Sequence, residues 1–370
     1  MVEHLRYPSF DSEHPFSLGV EEELFLVDPR DGRQLDARED VLRSVSRPPR
    51  GSITGELHAC EVELITGTCS TVSEAVDQLC ELRGLVAETG IGAIGSATHP
   101  SAPEGTSRVS DTDRYEFIAR QLGDAMISPV AAMHVHVGMP DPETAIRAFN
   151  GMRRHLPLLE ALAANSPYRH GRDSGFASAR ELSLRAWPRS GAPRAMVDYD
   201  DFVAYAKRLD RAAGVPDYTF DWWKLRPHPK LGTIEVRALD VQSSPWHAAG
   251  LVALVHSLAL HEATAEEAPP APAPEILEEA SYHAGREGLA AELPDAEGYR
   301  SPVEEVLAAA LEIARPCAER LGCGAELERV PVLVGEGGGA GLQRRDHERG
   351  GMEAVLAGLL ERARTGEGAS

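Results

Sequence analysis

The sequence predicts an α+β protein in which one large sheet of hairpin-connected strands is covered by helices. Three observations predict it. Several extended segments alternate apolar with functional side chains, so each has one face to bury and one that carries chemistry. Turn signatures join neighbouring segments as hairpins, and the stretches between them repeat apolar residues at helical spacing. The chain's 370 residues are ample for a substantial core.

The alternation is plainest in Met133-His134-Val135-His136-Val137-Gly138, where His134 and His136 share one face and Val135 and Val137 the other. Gly138 and Pro140 end this strand, which places the imidazoles near a sheet end. A lone His-x-His more often sits at a wet surface than on a ligand. Here carboxylates repeat the device. In Leu18 to Val27, Glu21 and Glu23 project together while Glu22 goes to the opposite face; Glu61 and Glu63 alternate in the same way, and so do Glu235 and Arg237. Burying isolated carboxylates is costly, so a face lined by Glu, His and Arg calls for a cation among them. Carboxylate oxygens with an imidazole, and no thiolate at the paired positions, describe a hard divalent cation, Mg²⁺ or Mn²⁺, in preference to zinc.

Lys+Arg 37 against Asp+Glu 58 gives a net charge of −21, which argues against general binding to nucleic acid or an anionic membrane. A nucleotide ligand then needs locally placed arginines and metal. The first residues hold no apolar run of signal-peptide length, and the longest apolar stretch, around Leu251 to Leu260, is too short to span a bilayer and contains His256. A cytoplasmic protein is expected. The five cysteines form no Cys-x-x-Cys, so ordinary buried thiols are expected.

In chain order, residues 1–15 read as a lead-in and 16–262 as the catalytic sheet-and-helix unit. Asp28 to Gly32 is a turn that starts a hairpin into Arg33-Gln34-Leu35, and Ile53 to Thr66 is extended. Ser70 or Thr71 caps a helix with Ala75, Val76, Leu79, Leu82 and Val86 on one stripe. A short strand from Ile91 to Ala97 ends in Thr98-His99-Pro100, where His99 reads as structural at least as readily as catalytic. Helices are expected from Arg114, from Pro142 to near Pro157, over Leu158 to Ala164 and over Asp198 to Ala213. The loop from Arg169 to Arg180 concentrates Arg, Ser and Gly in a way that suits phosphate or carboxylate capture, with a plain solvated loop of nearly equal weight.

Tyr218 to Pro227 and Gly232 to Leu239 form a hairpin in which Trp222, Lys224 and Arg226 share a face, and Arg226 with Arg237 can hold an anion between strands. Trp246 to Glu262 is helical. Residues 263–274 read as a Pro/Ala linker, and 275–370 as a C-terminal helical segment packed on the same domain. The glycine-rich stretch Gly335 to Gly341 lacks the Gly-Lys-Ser/Thr ending of a phosphate-binding loop and reads as flexible.

Taken together, Gly19-Val20-Glu21-Glu22-Glu23, His134-Val135-His136-Val137-Gly138 and Arg226-Pro227 with Gly232-Thr233-Ile234-Glu235-Val236-Arg237 resemble the bacterial carboxylate-amine ligases of the glutamate–cysteine ligase type 2 (YbdK-like) family. Thr98-His99-Pro100, Asn165-Ser166-Pro167-Tyr168 and Phe176-Ala177-Ser178-Ala179-Arg180 resemble that family's loops in the same order. The resemblance implies a glutamine-synthetase-like fold: an antiparallel sheet whose concave face holds ATP and divalent metal, with helices behind. By it, Glu21, Glu23, Glu63, His136 and Glu235 are the metal ligands, and Arg237 and Arg226 contact phosphate or acyl phosphate. Arg180, Ser178, Lys224 and His134 are then substrate or ATP contacts. The implied reaction forms an amide through an acyl phosphate, with glutamate and cysteine as nominal substrates and a homodimer as the default assembly. A guanidino-type phosphotransferase on the same sheet, a metal-dependent hydrolase and a non-catalytic metabolite binder are the competing readings. Two acidic strands ahead of His-x-His and the hairpin signatures separate this pattern from the barrel hydrolases.

Overall fold

The computed structural model describes residues 10–110, 112–126, 128–265 and 272–365. Residues 1–9 of the expected lead-in, residues 266–271 of the expected linker and the last five positions therefore lie outside the described residues.

The strands of the main sheet are β1 (Leu18–Val27), β2 (Ser52–Gly55), β3 (Glu61–Ile65), β4 (Gly92–Ile94), β5 (Ala132–Gly138), β8 (Leu225–His228) and β9 (Thr233–Asp240). Two small hairpins supply β6 (Tyr168–Arg169) with β7 (Arg172–Asp173), and β10 (Glu292–Pro294) with β11 (Arg300–Pro302). The seven strands run in the order β2-β3-β1-β5-β9-β8, with β4 added beside the end of β1. Every pairing in the sheet is antiparallel.

The turn after β1 forms as expected, although its return arm is only a bridge between Val27 and Gln34. The segment expected to be extended from Ile53 to Thr66 is instead a hairpin, with Glu56 to Cys60 between β2 and β3. The β8–β9 hairpin turns through Pro229–Leu231 and Gly232, whose φ of 63° and close contact with the Asp11 backbone both require the absence of a Cβ. Its first strand begins at Leu225, so Trp222 precedes the ladder instead of lying in it. On β8, an edge strand, Arg237 N donates to Lys224 O; the pairing alternates from there, so Pro227 turns its ring nitrogen away from β9.

The helices are α1 (Arg38–Ser44), α2 (Val72–Glu88), α3 (Asp113–Leu122), α4 (Pro142–Met152), α5 (Leu156–Ala163), α6 (Ala179–Leu184), α7 (Tyr199–Ala213) and α8 (Pro245–Thr264). There follow α9 (Pro274–Glu287), α10 (Val303–Leu321), α11 (Gly324–Leu327), α12 (Arg329–Gly335) and α13 (Gly338–Thr365). Thr71 caps α2 by accepting from Glu74 N, as its sequence signature predicts. Pro157 stands in the first turn of α5, where its missing N–H has no helical partner to lose.

One face of the sheet is dry. Leu18, Val20, Met133, Val135, Val137, Ile234 and Val236 join Leu79 of α2, Phe149 of α4 and Leu251, Val255 and Leu258 of α8 in the main core. Apolar on nearly all sides, α8 is packed by α2, α4, α10 and α12, which brings the C-terminal helices onto the same core. Glu22 also points to this face, where Arg83 meets it at 2.8 and 2.9 Å.

The glycine-rich stretch is not the flexible loop expected from its composition. Gly335 ends α12 and Gly338 opens α13, which kinks at Gly350 and Gly351. Close packing explains the glycine: a Cβ on Gly339 would come 2.3 Å from Asn165 Oδ1. Ala340 N donates to Ala164 O, and Gln343 Nε2 donates to Asn165 Oδ1 at 2.9 Å. The helix therefore lies directly on the end of α5.

Candidate metal and substrate site

The other face of the sheet lines a cavity of about 240 Å³. Strand register builds its floor. Glu23 on β1 faces Glu63 on β3, Glu21 faces His134 on β5, and Glu235 on β9 faces His136 on one side and Arg226 of β8 on the other. Side chains opposite each other in an antiparallel pair are near neighbours, so five strands deliver these groups side by side. Between the Val135–Val236 and Met133–Leu239 pairs, Arg237 and Ala238 together oppose His134 alone. This bulge re-aims β9 where Arg237 enters the cavity.

Three groups of three ligand atoms lie within 4.8 Å of one another: Glu21, Glu63 and His134; Glu21, His136 and Glu235; and Glu23, Glu56 and Glu63. All five residues expected to be metal ligands thus come together. His134, expected among the substrate contacts, joins them with Nδ1 3.0 Å from Glu21 Oε2. Glu56 was not singled out in the sequence. It sits in the turn between β2 and β3, where alternation assigns no face; its only signal is an acidic side chain between two strands that belong to the site.

The electrostatics divide the cavity. Burial pushes Glu21 up, but the neighbouring imidazoles of His134 and His136 outweigh it and hold the carboxyl well below its ordinary range. Burial likewise opposes the charge on Glu235, yet Arg226 and Arg237 keep it ionised. The other end lacks such help. Burial, then the charge of Glu56, raise Glu23 to about 8. Glu56 is raised by burial, and Glu61 and Glu63 are pushed well up by burial and by one another's neighbours. Burial lowers His134 to about 4, whereas His136 is raised because Glu235 and Glu21 overcome its burial. Carboxylates crowded until they hold protons mark the place where a cation belongs.

The residues fit a hard divalent ion. The donors are carboxylate oxygens and imidazole nitrogens, and buried His136 Nε2, 3.3 Å from Glu21 Oε1, has no aligned hydrogen-bond partner.

The cationic groups take different parts. Arg226 gives Nε and Nη2 to Glu235 Oε2 at 2.9 and 2.7 Å, and Nη1 to the carbonyls of Thr219 and Asp221. With its fork engaged, Arg226 holds Glu235 in place and has little left for an incoming phosphate. Arg237 also bonds Glu235 through Nη1, but its Nε has no partner and its side chain is 19% exposed. Arg180 donates to the carbonyls of Arg237 and Ala238 and lines the same cavity. Lys224 lines it too, with Nζ held 2.6 Å from Glu160 and 2.9 Å from Glu181.

Ser178 departs from its expected role. It does not line the cavity; its hydroxyl donates to Asp240 Oδ1 and accepts from Glu181 N at the start of α6. Asp240 also accepts from Asn165 N and Ser166 Oγ, so one buried carboxylate anchors the loop that delivers Arg180. His99 is structural: Nε2 meets Gly32 O at 3.0 Å, and Nδ1 accepts from Ala102 N. The basic loop expected to capture anions carries Arg169, His170 and Arg172 in a separate surface cavity; Arg180 alone of its arginines reaches the main one.

Comparison with known proteins agrees with this architecture. The sequence profile of the family described as Glutamate-cysteine ligase family 2 (GCS2) matches residues 17–363. A protein of Rubrobacter xylanophilus named "Putative glutamate--cysteine ligase 2-3" is 38% identical over 364 residues, 95% of this chain and 98% of its own length. A "Putative glutamate--cysteine ligase 2" of Rhodopirellula baltica is 31% identical over 93% of this chain and 96% of its own. Among solved structures, the glutamate–cysteine ligase of Francisella tularensis in complex with AMP superposes with a TM-score of 0.71 at 14% identity, covering 97% of this chain and 90% of that one. A bifunctional glutathione synthetase from Pasteurella multocida gives 0.67 at 16% identity over 94% of this chain and 52% of its own. These two share the fold. The profile match and the relatives together establish that the chain belongs to glutamate–cysteine ligase family 2.

Proposed function

We propose that this cavity activates a small carboxylate with ATP and Mg²⁺ or Mn²⁺ and joins it to an amine, with glutamate as the first carboxylate to try. As a member of its family the chain is an ATP-dependent carboxylate-amine ligase; neither the phosphotransferase nor the hydrolase reading finds support there. The observation that carries the finer reading is the set of three ligand groups on one sheet face, the first joined to the second through Glu21 and to the third through Glu63. No helix among the described residues is long and apolar enough to cross a membrane.

The reaction moves negative charge. A carboxylate oxygen attacks the γ-phosphorus, ADP leaves, and the amine nitrogen then attacks the acyl carbon as phosphate departs and the nitrogen gives up its proton. Glu21, Glu23, Glu56, Glu63, His134, His136 and Glu235 would hold the divalent ion, whose chemistry is to neutralise the phosphoryl oxygens. Arg237 and Arg180 each keep an Nε without a partner; Arg237, the one that also bonds Glu235, would meet the transferred phosphoryl group, while Arg226 positions Glu235 and Arg180 holds the Arg237 backbone. No protein nucleophile is required.

Incubation with ATP, Mg²⁺, glutamate and a series of amines should give ADP, phosphate and an amide; a stable phosphorylated product without amide, or ATP-independent cleavage, would overturn the reading. Arg237→Lys should lower turnover by about 10²-fold or more, because a point charge cannot reproduce the guanidinium fork.

Metal should also stabilise the fold in a pH-dependent way. Glu23 has its carboxyl raised from 4.5 to about 8. Without metal, folding takes up its proton between those values, so its contribution to stability falls as pH rises through that window and levels off above it. Divalent cation replaces the proton. Thermal melts should therefore show a larger Mg²⁺-induced gain at pH 8 than at pH 6; an equal gain at both would remove Glu23 from the metal site.

A further inference from the structure

A satellite apolar cluster stands apart from the two larger cores. Leu57, Ile118, Leu122, Val215 and Phe220 form it, with Tyr115, Trp187 and Trp222 packed on it. Five of these residues, Leu57, Tyr115, Ile118, Trp187 and Trp222, also line the cavity. The wall is held rigid. Trp187 Nε1 donates to Ala125 O at 2.9 Å, the Trp187 and Trp222 rings meet edge to face at 5.6 Å, and Arg189 lies 5.1 Å from the Trp222 ring.

Its position supplies the second half of the argument. Leu57 directly follows Glu56, and Tyr115 Oη donates to Gly55 O, so the apolar wall and the acidic end of the cavity share one turn. Glu61, 2% exposed, lies at that end with Oε1 lacking a partner, outside all three ligand groups. An ammonium can take up the hydrogen-bonding capacity of the Glu61 carboxyl, which an anionic phosphate cannot. A rigid aromatic and aliphatic wall beside Glu61, a buried carboxyl that no ligand group takes up, complements a molecule with a cationic head and an apolar body.

We propose that this wall seats the amine acceptor and that the acceptor class is a primary amine with an apolar, preferably flat, side group. The inference rests on the ligation reading and deepens it: Leu57, Tyr115, Ile118, Trp187 and Trp222 determine which amine is used, while the cation-binding face determines that an amide forms at all.

Calorimetric titration of the full chain, saturated with Mg²⁺ and a non-hydrolysable ATP analogue, tests it with benzylamine and cysteine as probes. Benzylamine should bind at least about tenfold more tightly than cysteine, the scale set by burying a phenyl group. Trp222→Ala and Ile118→Asn, each checked for native circular dichroism, should collapse that preference below about threefold. The inference is overturned if cysteine binds as tightly as benzylamine, if the ATP analogue blocks benzylamine and so claims the wall for the adenine ring, or if both variants keep the preference. Hydroxylamine with glutamate and ATP separates the two layers. Failure to form the hydroxamate brings down the ligation reading and this inference with it; hydroxamate formation without an apolar preference brings down only the inference.

Discussion

Replacing Glu235 with alanine should reduce metal-dependent ATP turnover by at least about 10²–10³-fold, the scale of losing one positioned electrostatic group in a closed site. Glu235 is where three strands meet: it faces His136, accepts two hydrogen bonds from Arg226 and one from Arg237, and is 1% exposed. Its loss would also strand two guanidinium groups in a buried place. Breaking one side of such a network typically costs about 3–5 kcal/mol, so Glu235→Ala should melt earlier as well. Glu235→Gln keeps the volume and part of the hydrogen bonding and should retain more stability while losing comparable activity. Turnover and thermal melts on both variants check this; full activity in Glu235→Gln would remove the carboxylate from the chemistry.

The largest purely structural effect should come from the opposite face. Arg83→Met should destabilise the fold by about 3–5 kcal/mol, the usual consequence of leaving a buried carboxylate without its partner. Glu22 is fully buried, and Arg83 binds both its oxygens while also donating to the carbonyls of Gln242 and Ser243 at the end of β9. This pair replaces an apolar contact between β1 and α2 with a link to the segment that leads into α8. The double variant Glu22→Leu/Arg83→Met should recover much of the loss, because no isolated charge is left. Chemical denaturation measures both. A single-variant change below about 1 kcal/mol would show that Glu22 finds water or another donor.

Much of the site is legible from alternation alone. In β1, β5 and β9 each functional residue sits two positions from another, and the pleat converts that spacing into a shared face. Glu22 is the control, since the same rule sends it to the dry side, where Arg83 waits. Alternation says nothing about which strands are neighbours, so the pairing of Glu63 with Glu23 and of His136 with Glu235 emerges only from register. It also fails in turns, which is why Glu56 escapes notice, and at the bulge, where Arg237 and Ala238 share one partner. Composition misleads at Gly335 to Gly341. Glycine there suggests freedom, yet position 339 is glycine because Asn165 leaves no room for a Cβ. The hydroxyl of Ser178 illustrates a further ambiguity: a loop rich in Ser and Arg suits an anionic ligand, but Asp240 supplies the anion from within the protein.

The end of the sheet at β8 bears on how copies of this protein can meet. With Pro227 presenting no amide on that outer edge, a strand from another molecule cannot be templated across it without forfeiting a rung of its ladder. Leu225, Arg226 and Pro227 are buried besides, so the rim that carries the functional hairpin is closed to cross-β pairing by cover as well as by the missing amide.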